Sequence, residues 1–236
     1  MPAVLLTGLA KSGFASGIGA LATPLIALTM PVPQAVAIML PLLMVMDATG
    51  LQQLWRERDP ALVKLLLPSG LLGVGIGTLL FRLLSPQAVA GLVGALTLAI
   101  LAQRMLFPPR RDAPKASPWV GRACALVSGF TSFVANAGGP PISAYTLPLK
   151  LEPKVLSGTL AIFFAAVNLA KWAPYAALGL IDLRNMATAL VLLPAAPLGV
   201  WAGVWLVRRV DPGWFYRIAY TGMAITGCKL LWDGLK

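Results

Sequence analysis

The sequence has no histidine, two cysteines and few charged residues. Without histidine, it lacks the usual general base and the commonest protein ligand of zinc and haem. Cys124 and Cys228 stand in apolar surroundings and form no CxxC pair, so they predict packing positions and no disulfide framework. No GxxxxGK[ST] motif is present, which disfavours an ATP-driven engine in this chain. We therefore expect neither a metal nor another cofactor.

Charged residues make up only 11% of the chain and hydrophobic residues 58%, whereas about a quarter of a soluble domain is charged. A helix that crosses a bilayer needs about 20 apolar residues. Uncharged runs near or above that length recur at 12–46, 65–81, 83–103, 123–149, 155–170 and 185–207. Lipid tolerates only helices or closed barrels, and no alternating strand pattern is visible. The composition predicts an all-α membrane protein, a polytopic helical bundle.

The formal net charge of +11 raises the question of a nucleic-acid partner. The cations stand in small groups between apolar spans and do not cluster on one face. This distribution is typical of positive-inside topology signals, so we expect the lipid bilayer as a partner and no nucleic acid.

An internal duplication divides the chain around a basic, Pro-rich segment, FPPRRDAPKASP (107–118). A shift of 117 aligns "TPLIALTMP" (23–31) with "PPISAYTLP" (140–148). A shift of 126 aligns two further sets: Pro68, Gly73, Gly77, Arg82 and Pro86 with Pro194, Gly199, Gly203, Arg208 and Pro212. The duplication predicts a first transmembrane repeat at 1–107, a linker at 108–117 and a second transmembrane repeat at 118–236.

Each repeat is predicted to hold one segment broken by Gly and Pro, followed by three whole spans. The predicted spans are 34–55, 61–83 and 86–106, then 154–177, 184–207 and 213–234. The repeats are inverted if the broken segment is re-entrant, and parallel if it crosses the membrane. The distribution of Lys and Arg favours inversion by a single cation. Lys11 and Lys171 are flanked by apolar sequence and are poor topology signals, which also favours inversion.

The two broken segments, "SGFASGIGALATPLIAL" (12–28) and "SGFTSFVANAGGPPISAY" (128–145), both open with Ser-Gly-Phe and lead to proline. Proline is favourable in the first turn of a helix, so these prolines predict the starts of half-helices. Such starts carry free N–H donors and a positive dipole end, a site suited to an anion. An alternative is that Gly and Pro only permit tight packing or a kink. The predicted anion-binding residues here are Gly17, Gly19, Thr23, Pro24, Asn136, Gly138, Gly139, Pro140 and Pro141.

Ionisable groups inside spans are candidates for function. Lys171 follows Asn168 by three residues and shares its helix face, so the pair could hold an anion; Lys171 could instead snorkel to the interface beside Trp172. Asp47 is the only acid well inside a span, and it either carries a coupling proton or pairs with a lysine. Thr159 is a further candidate for a hydrogen bond to the substrate.

Several stretches together resemble one known family. They are "LTMPVPQAVAIML" (28–40), "RERD" (56–59), Gly138-Gly139-Pro140-Pro141 and "GTLAIFFAAVNLAKWAPYAALGLID" (158–182). In this order they resemble the TauE/SafE sulfite exporter family of bacterial and archaeal membrane proteins, over essentially the whole chain.

The resemblance implies secondary transport of small sulfur-containing or other organic anions, such as sulfite or sulfonates, across the prokaryotic cytoplasmic membrane. It implies coupling to an ion, for which we expect a proton, and no use of ATP. We expect alternating access of two repeats around a midplane site, with a passive anion channel as the alternative. The chain lacks an obvious catalytic pair, so we do not expect an enzyme. The exposed faces of so small a bundle could support a homodimer.

Overall fold

The computed structural model describes residues 22–27, 29–107, 117–194 and 212–236. These residues form helices and no strand. The helices are α1 (Ala22–Ile26), α2 (Val32–Leu54), α3 (Pro60–Leu83), α4 (Pro86–Leu106), α5 (Pro118–Ala135), α6 (Gly139–Thr146), α7 (Pro153–Ala170), α8 (Trp172–Ala177), α9 (Leu183–Leu192) and α10 (Pro212–Leu235). The all-α prediction is confirmed for this part of the chain.

Proline and small polar residues fix where several helices start. The side chain of Asp59, before Pro60, accepts hydrogen bonds from two backbone N–H groups in the first turn of α3. The side chain of Ser85, before Pro86, accepts one from a backbone N–H of α4. Proline costs nothing at these positions because its missing N–H would have no intrahelical partner. The predicted span starts therefore agree with the observed ones to within two residues.

Four segments are long and apolar enough to cross a membrane among the described residues: Val32–Gln52, Pro60–Leu83, Pro86–Gln103 and Pro153–Ala177. The predicted span 213–234 corresponds to the helix α10, which is not among these four. The predicted span 184–207 begins with α9, a shorter apolar helix, and its remainder from residue 195 lies outside the described residues. The chain is thus a polytopic helical membrane protein.

Glycines bring α3 and α5 into close contact. A Cβ placed on Gly129 would overlap the carbonyl oxygen of Gly70, and one on Gly73 would overlap that of Leu126. One turn further along α3, Gly77 lies against Phe133. From Gly70 beside Gly129 to Gly77 beside Phe133, residue numbers rise along both helices, so α3 and α5 run parallel. Small residues allow this approach, which lipid-embedded helices use to gain van der Waals contact.

Two other pairs run antiparallel. Along α4 and α10, Gly91 meets Gly234 while Gly94 meets Leu231 and Gly227. Along α2 and α7, a Cβ on Gly158 would overlap Glu57 and lie near Leu54, whereas Gly50 faces Ala161. In each pair, the two helices are the ones that the predicted duplication would make equivalent. Antiparallel packing of equivalent helices is the arrangement that inverted repeats require.

These directions define two ends of the bundle. We call the end where α2 and α4 finish and α3, α5 and α7 begin the basic end. The described Lys and Arg residues near it are Arg56, Arg58, Lys64, Arg104, Arg122, Lys150, Lys154 and Arg217. The segment 118–152 starts at the basic end with α5 and returns there at the start of α7, so the second broken segment is re-entrant in this structure. The opposite end, where α10 finishes, is the cleft end.

Candidate functional site

The break in the second half is built from side chains that replace helix hydrogen bonds. Helix α5 stops at Asn136, whose φ of 53° lies in the left-handed region, and α6 starts at Gly139. The hydroxyl of Ser128 donates to the carbonyl of Gly138 at 2.6 Å, and Thr131 donates to that of Ala137 at 3.2 Å. These bonds satisfy backbone groups that lipid could not. The break is therefore a built feature of the fold.

Close packing explains the glycine at the start of this half-helix. A Cβ on Gly138 would lie 2.7 Å from the carbonyl oxygen of Ser128 and 2.9 Å from the ring of Phe164. Gly139, Pro140 and Pro141 form the first turn of α6, as the sequence predicts. Both functions proposed for the break, close packing and the start of a half-helix, are thus present at one place.

The first broken segment is described only from residue 22 onward. The short helix α1 begins at Ala22 and places Pro24 in its first turn, with Thr23 and Pro24 buried. Gly17, Gly19 and Lys11 lie outside the described residues, so their predicted positions stay untested.

Lys171 stands where α7 gives way to α8. Its backbone N–H bonds to the carbonyl of Asn168 at 3.2 Å, three residues back, and Pro174 has no N–H to continue the ladder. Its side chain is fully buried, and its ammonium donates to Oδ1 of Asn168 at 2.8 Å and to Oδ1 of Asn136 at 3.0 Å. Such complete burial excludes snorkelling to the interface. The predicted span 154–177 contains this turn, and the stretch Pro153–Ala177 as a whole is long and apolar enough to cross a membrane.

Asn168 joins Lys171 to the only acid well inside a span. Its Nδ2 donates to Oδ2 of Asp47 at 2.6 Å, and Asp47 is only 4% exposed. An ammonium can only donate and a carboxylate can only accept, so these neighbours fix which end of the Asn168 amide is oxygen. The Asn168 amide thus bridges Asp47 and Lys171, and both interpretations of Asp47, a coupling proton and pairing with a lysine, stay predictions.

Asn136 connects the same lysine to the first broken segment. Its Oδ1 accepts from Lys171, and its Nδ2 donates to the hydroxyl of Thr23 at 3.2 Å. The five side chains form one continuous hydrogen-bonded chain, which we call the polar network: Thr23, Asn136, Lys171, Asn168 and Asp47. It joins both broken segments to the crossing of α2 and α7.

Burying the charged groups of the polar network costs free energy. A buried ammonium and a buried carboxylate each lose several kcal/mol of hydration, and only good hydrogen bonds offset that cost. In membrane proteins, buried ionisable groups of this kind mark pathways for ions and substrates. The ammonium carries the positive charge that an anion requires, and the amides of Asn136 and Asn168 can present N–H donors after rotation.

Thr159 lies elsewhere in the structure. Its hydroxyl accepts from the backbone N–H of Asp59 at 2.9 Å and donates to the carbonyl of Val155 at 2.7 Å. Nine residues separate it from Asn168 on α7, about 13 Å at the rise of an α-helix. The structure thus places Thr159 in the contact between α7 and the α2–α3 loop at the basic end, apart from the polar network.

Three residues that support the site were not predicted as part of it. The hydroxyl of Tyr175 donates to the backbone carbonyl of Phe133 at 2.7 Å, and their rings meet edge to face at 4.9 Å. This bond satisfies a carbonyl in the last turn of α5, just before the break. Ser128 and Thr131, described above, hold the break itself. Two spacings in the sequence could have indicated these residues. Ser128 and Thr131 stand one helical turn apart ahead of Asn136, and Tyr175 follows Lys171 by four residues.

A cleft of about 360 Å³ opens at the cleft end of the bundle. It is formed by the turn after α1, the start of α4 and the last turns of α10. Lys229 and Asp233 form an ion pair at its wall, with their charged atoms 2.6 Å apart. Ala27 also lines it and bonds through its backbone N–H to the carbonyl of Thr23. Helix α1 therefore has the cleft at one end and the polar network at the other.

Comparison with known proteins identifies one family. The family model described as "Sulfite exporter TauE/SafE" matches residues 1–230 of the 236. No curated protein and no solved structure shows a significant match to the chain. The family match confirms the resemblance seen in the sequence and covers both halves. The chain belongs to the TauE/SafE sulfite exporter family.

Proposed function

We propose that the chain is a secondary transporter that exports a small sulfur-containing or organic anion, such as sulfite or a sulfonate. We place it in the prokaryotic cytoplasmic membrane, where it would work by alternating access. The observation that carries the proposal is the fully buried ammonium of Lys171 at the point where both broken segments meet. Ionisable groups buried at membrane depth are rare, and they mark the paths of ions and substrates.

The substrate site consists of the polar network and the start of α6. Lys171 supplies the charge, Asn168 supplies a rotatable amide and Thr23 supplies a hydroxyl, while Asn136 borders the ammonium of Lys171. The start of α6 offers the backbone N–H groups of Gly138 and Gly139, two and three residues beyond Asn136, while Pro140 and Pro141, which carry no N–H, set its first turn. Gly17 and Gly19 would complete the site from the first half. We leave Thr159 out because of its distance along α7.

Inverted repeats give this site a way to face both sides. The antiparallel pairs α4–α10 and α2–α7, together with the re-entrant second segment, support inversion over the parallel arrangement. The positive-inside rule then puts the basic end in the cytoplasm and the cleft end outside. In that orientation the cleft beside Lys229 is the outer access path, and α1 separates it from the polar network.

Asp47 is the proposed coupling residue, and a proton the proposed coupling ion. With the carboxylate charged, Asp47 balances Lys171 through Asn168; with a neutral carboxyl, the network carries net positive charge and attracts an anion more strongly. Protonation and anion binding would therefore favour each other by thermodynamic linkage, so the proton and the anion would cross together, in the direction that their combined gradient sets. This linkage is what a coupled transporter needs and a passive channel does not.

The first test is anion binding by the purified protein. The melting temperature in detergent is measured with sulfite, thiosulfate, sulfoacetate, sulfate and simple carboxylates, for the wild type, Lys171→Gln and Lys154→Gln. Lys154 is an exposed lysine on the same helix, α7, and serves as the matched control. We expect a selective rise for the wild type and the control and none for Lys171→Gln. A folded wild type that responds to no anion would return the broken helices to a packing role.

Flux in proteoliposomes separates the transporter from the channel. A transporter shows saturation with substrate concentration and counterflow of labelled anion, whereas a channel shows neither. Because Lys171→Gln leaves Asp47 without its balancing charge, the double variant Asp47→Asn/Lys171→Gln, which removes both charges, guards against loss of the fold. If the double variant is folded and still binds the anion, Lys171 is not the binding group.

A further inference from the structure

The side chain of Asn136 makes hydrogen bonds to Lys171 and Thr23, two groups that an anionic substrate would also bind. Its amide oxygen takes one of the N–H groups of the Lys171 ammonium at 3.0 Å, and its amide nitrogen reaches Thr23 at 3.2 Å. A side-chain carbonyl oxygen is the same kind of acceptor as the oxygen of an oxyanion, only without the full charge. The oxygen of Asn136 thus occupies a position that an anion oxygen would take.

The two amides that contact Lys171 differ in how firmly they are held. Asn168 bonds to the ammonium at 2.8 Å and to the charged Asp47 at 2.6 Å. Asn136 makes longer bonds, and its second partner is the neutral hydroxyl of Thr23. Bonds to charged groups are about twice as strong as neutral ones. Of the two amides, Asn136 is therefore the one that an incoming anion can displace.

The exposed fractions of the side chains also point to Asn136. Thr23, Asn168, Lys171 and Asp47 are all buried, with at most 4% of any of them exposed, whereas Asn136 is partly exposed. An anion that reaches the network thus meets Asn136 first.

The backbone conformation of Asn136 links displacement of its side chain from Lys171 to the junction of α5 and α6. Its left-handed conformation forms the junction between α5 and α6, and Asn is one of the few residues besides Gly that adopt it readily. Its side chain is also a link between this junction and α1 in the first broken segment. Displacement of Asn136 from Lys171 would loosen the connection between the two segments at the moment when substrate binds.

We propose that Asn136 is a gating residue whose amide occupies the anion position in the empty transporter and must be displaced by substrate. This proposal rests on the proposed function and deepens it. Through this exchange, anion binding is linked to the separation of the two broken segments, and a small anion with at least one unshielded charged oxygen is selected over neutral solutes, which cannot compete for the ammonium.

The test uses two substitutions with opposite expected effects on sulfite affinity, measured as the concentration dependence of the melting temperature and as KM in proteoliposomes. Asn136→Gly keeps the left-handed backbone and removes the competing amide, so sulfite should bind roughly tenfold more tightly, the factor expected for one hydrogen bond to a charged group. Asn136→Asp places a carboxylate on the ammonium permanently, so sulfite binding should fall at least about tenfold. A purely structural role would not move KM in opposite directions.

The outcomes separate this proposal from the proposed function. If the wild type binds sulfite and Asn136→Gly binds it equally or less tightly, the gating role is overturned while the anion site stands. If Asn136→Asp binds sulfite as the wild type does, the exchange at Lys171 is likewise overturned. If neither the wild type nor Asn136→Gly binds any anion of the panel, both proposals fail together.

Discussion

The amide of Asn168 lies between the ammonium of Lys171 and the carboxylate of Asp47, 2.8 Å from one and 2.6 Å from the other. One neutral side chain thus transmits the state of the acid to the base across the contact of α2 and α7. A change in the charge of Asp47 would change the strength of its hydrogen bond with Asn168. It would thereby change how strongly Asn168 binds the ammonium of Lys171.

We therefore expect Asp47→Asn to separate transport from its driving force. The variant removes the group proposed to carry the proton and leaves Lys171 to attract the anion. In proteoliposomes, counterflow of labelled sulfite should persist, while accumulation driven by an imposed pH gradient should be lost. Glu152→Gln, at an exposed acid before α7, is the control and should keep both. Accumulation by Asp47→Asn at the wild-type level would show that the proton binds elsewhere.

Thr159→Val should affect stability and leave anion affinity unchanged. The substitution keeps the shape of the side chain but removes the acceptor of the Asp59 N–H, at a cost of about 1 kcal/mol in the free energy of unfolding. The melting temperature in detergent should fall modestly, and the response to sulfite should stay that of the wild type. A loss of sulfite binding in a folded Thr159→Val variant would instead make Thr159 a substrate residue, as its sequence context predicts.

Much of the fold is readable in the sequence because its signals are local. Proline in the first turn identifies the starts of α3, α4 and α10, and the pair Pro140-Pro141 identifies that of α6. The residues that meet in the polar network share no such local signal. Asn168 and Asp47 are 121 residues apart, and Asn136 and Thr23 are 113 apart. Only the packing of α2 against α7 and of α1 against the second break brings them together.

Thr159 shows the same limit from the opposite side. It shares α7 with Asn168, and the sequence alone does not give the depth at which each residue of a span meets its neighbours. The turn at Lys171, inside the span Pro153–Ala177, has no clear local signal either. Membrane helices often tolerate proline, so Pro174 by itself did not predict an interruption of the span. The hydrogen bonds of the Lys171 side chain to two asparagines are what give the interruption a role.

The approach of α3 to α5 is predicted to depend on Gly129. A methyl group there would overlap the carbonyl oxygen of Gly70, so Gly129→Ala must push the helices apart, at a typical cost of about 1–3 kcal/mol for overpacking. The melting temperature in detergent should fall clearly. Gly75→Ala is the matched control on α3, since a Cβ there meets nothing within 4 Å. It should be neutral or slightly stabilising, because alanine favours helix over glycine by about 0.5–1 kcal/mol. Equal melting temperatures for both variants would contradict the close approach.

The cleft is predicted to be the outer access path, which thiol labelling can test. In a background of Cys124→Ser and Cys228→Ser, Ala90→Cys places a thiol at the wall of the cleft, and Leu72→Cys places one on the lipid-facing side of α3, where Leu72 is 63% exposed. A membrane-impermeant, negatively charged thiosulfonate reagent reaches water-filled surfaces only. It should modify Ala90→Cys from the outside and inhibit sulfite transport, leave Leu72→Cys unmodified, and act more slowly in the presence of sulfite. Modification of Ala90→Cys that leaves transport intact would place the access path elsewhere, and modification only from the cytoplasmic side would reverse the assigned orientation.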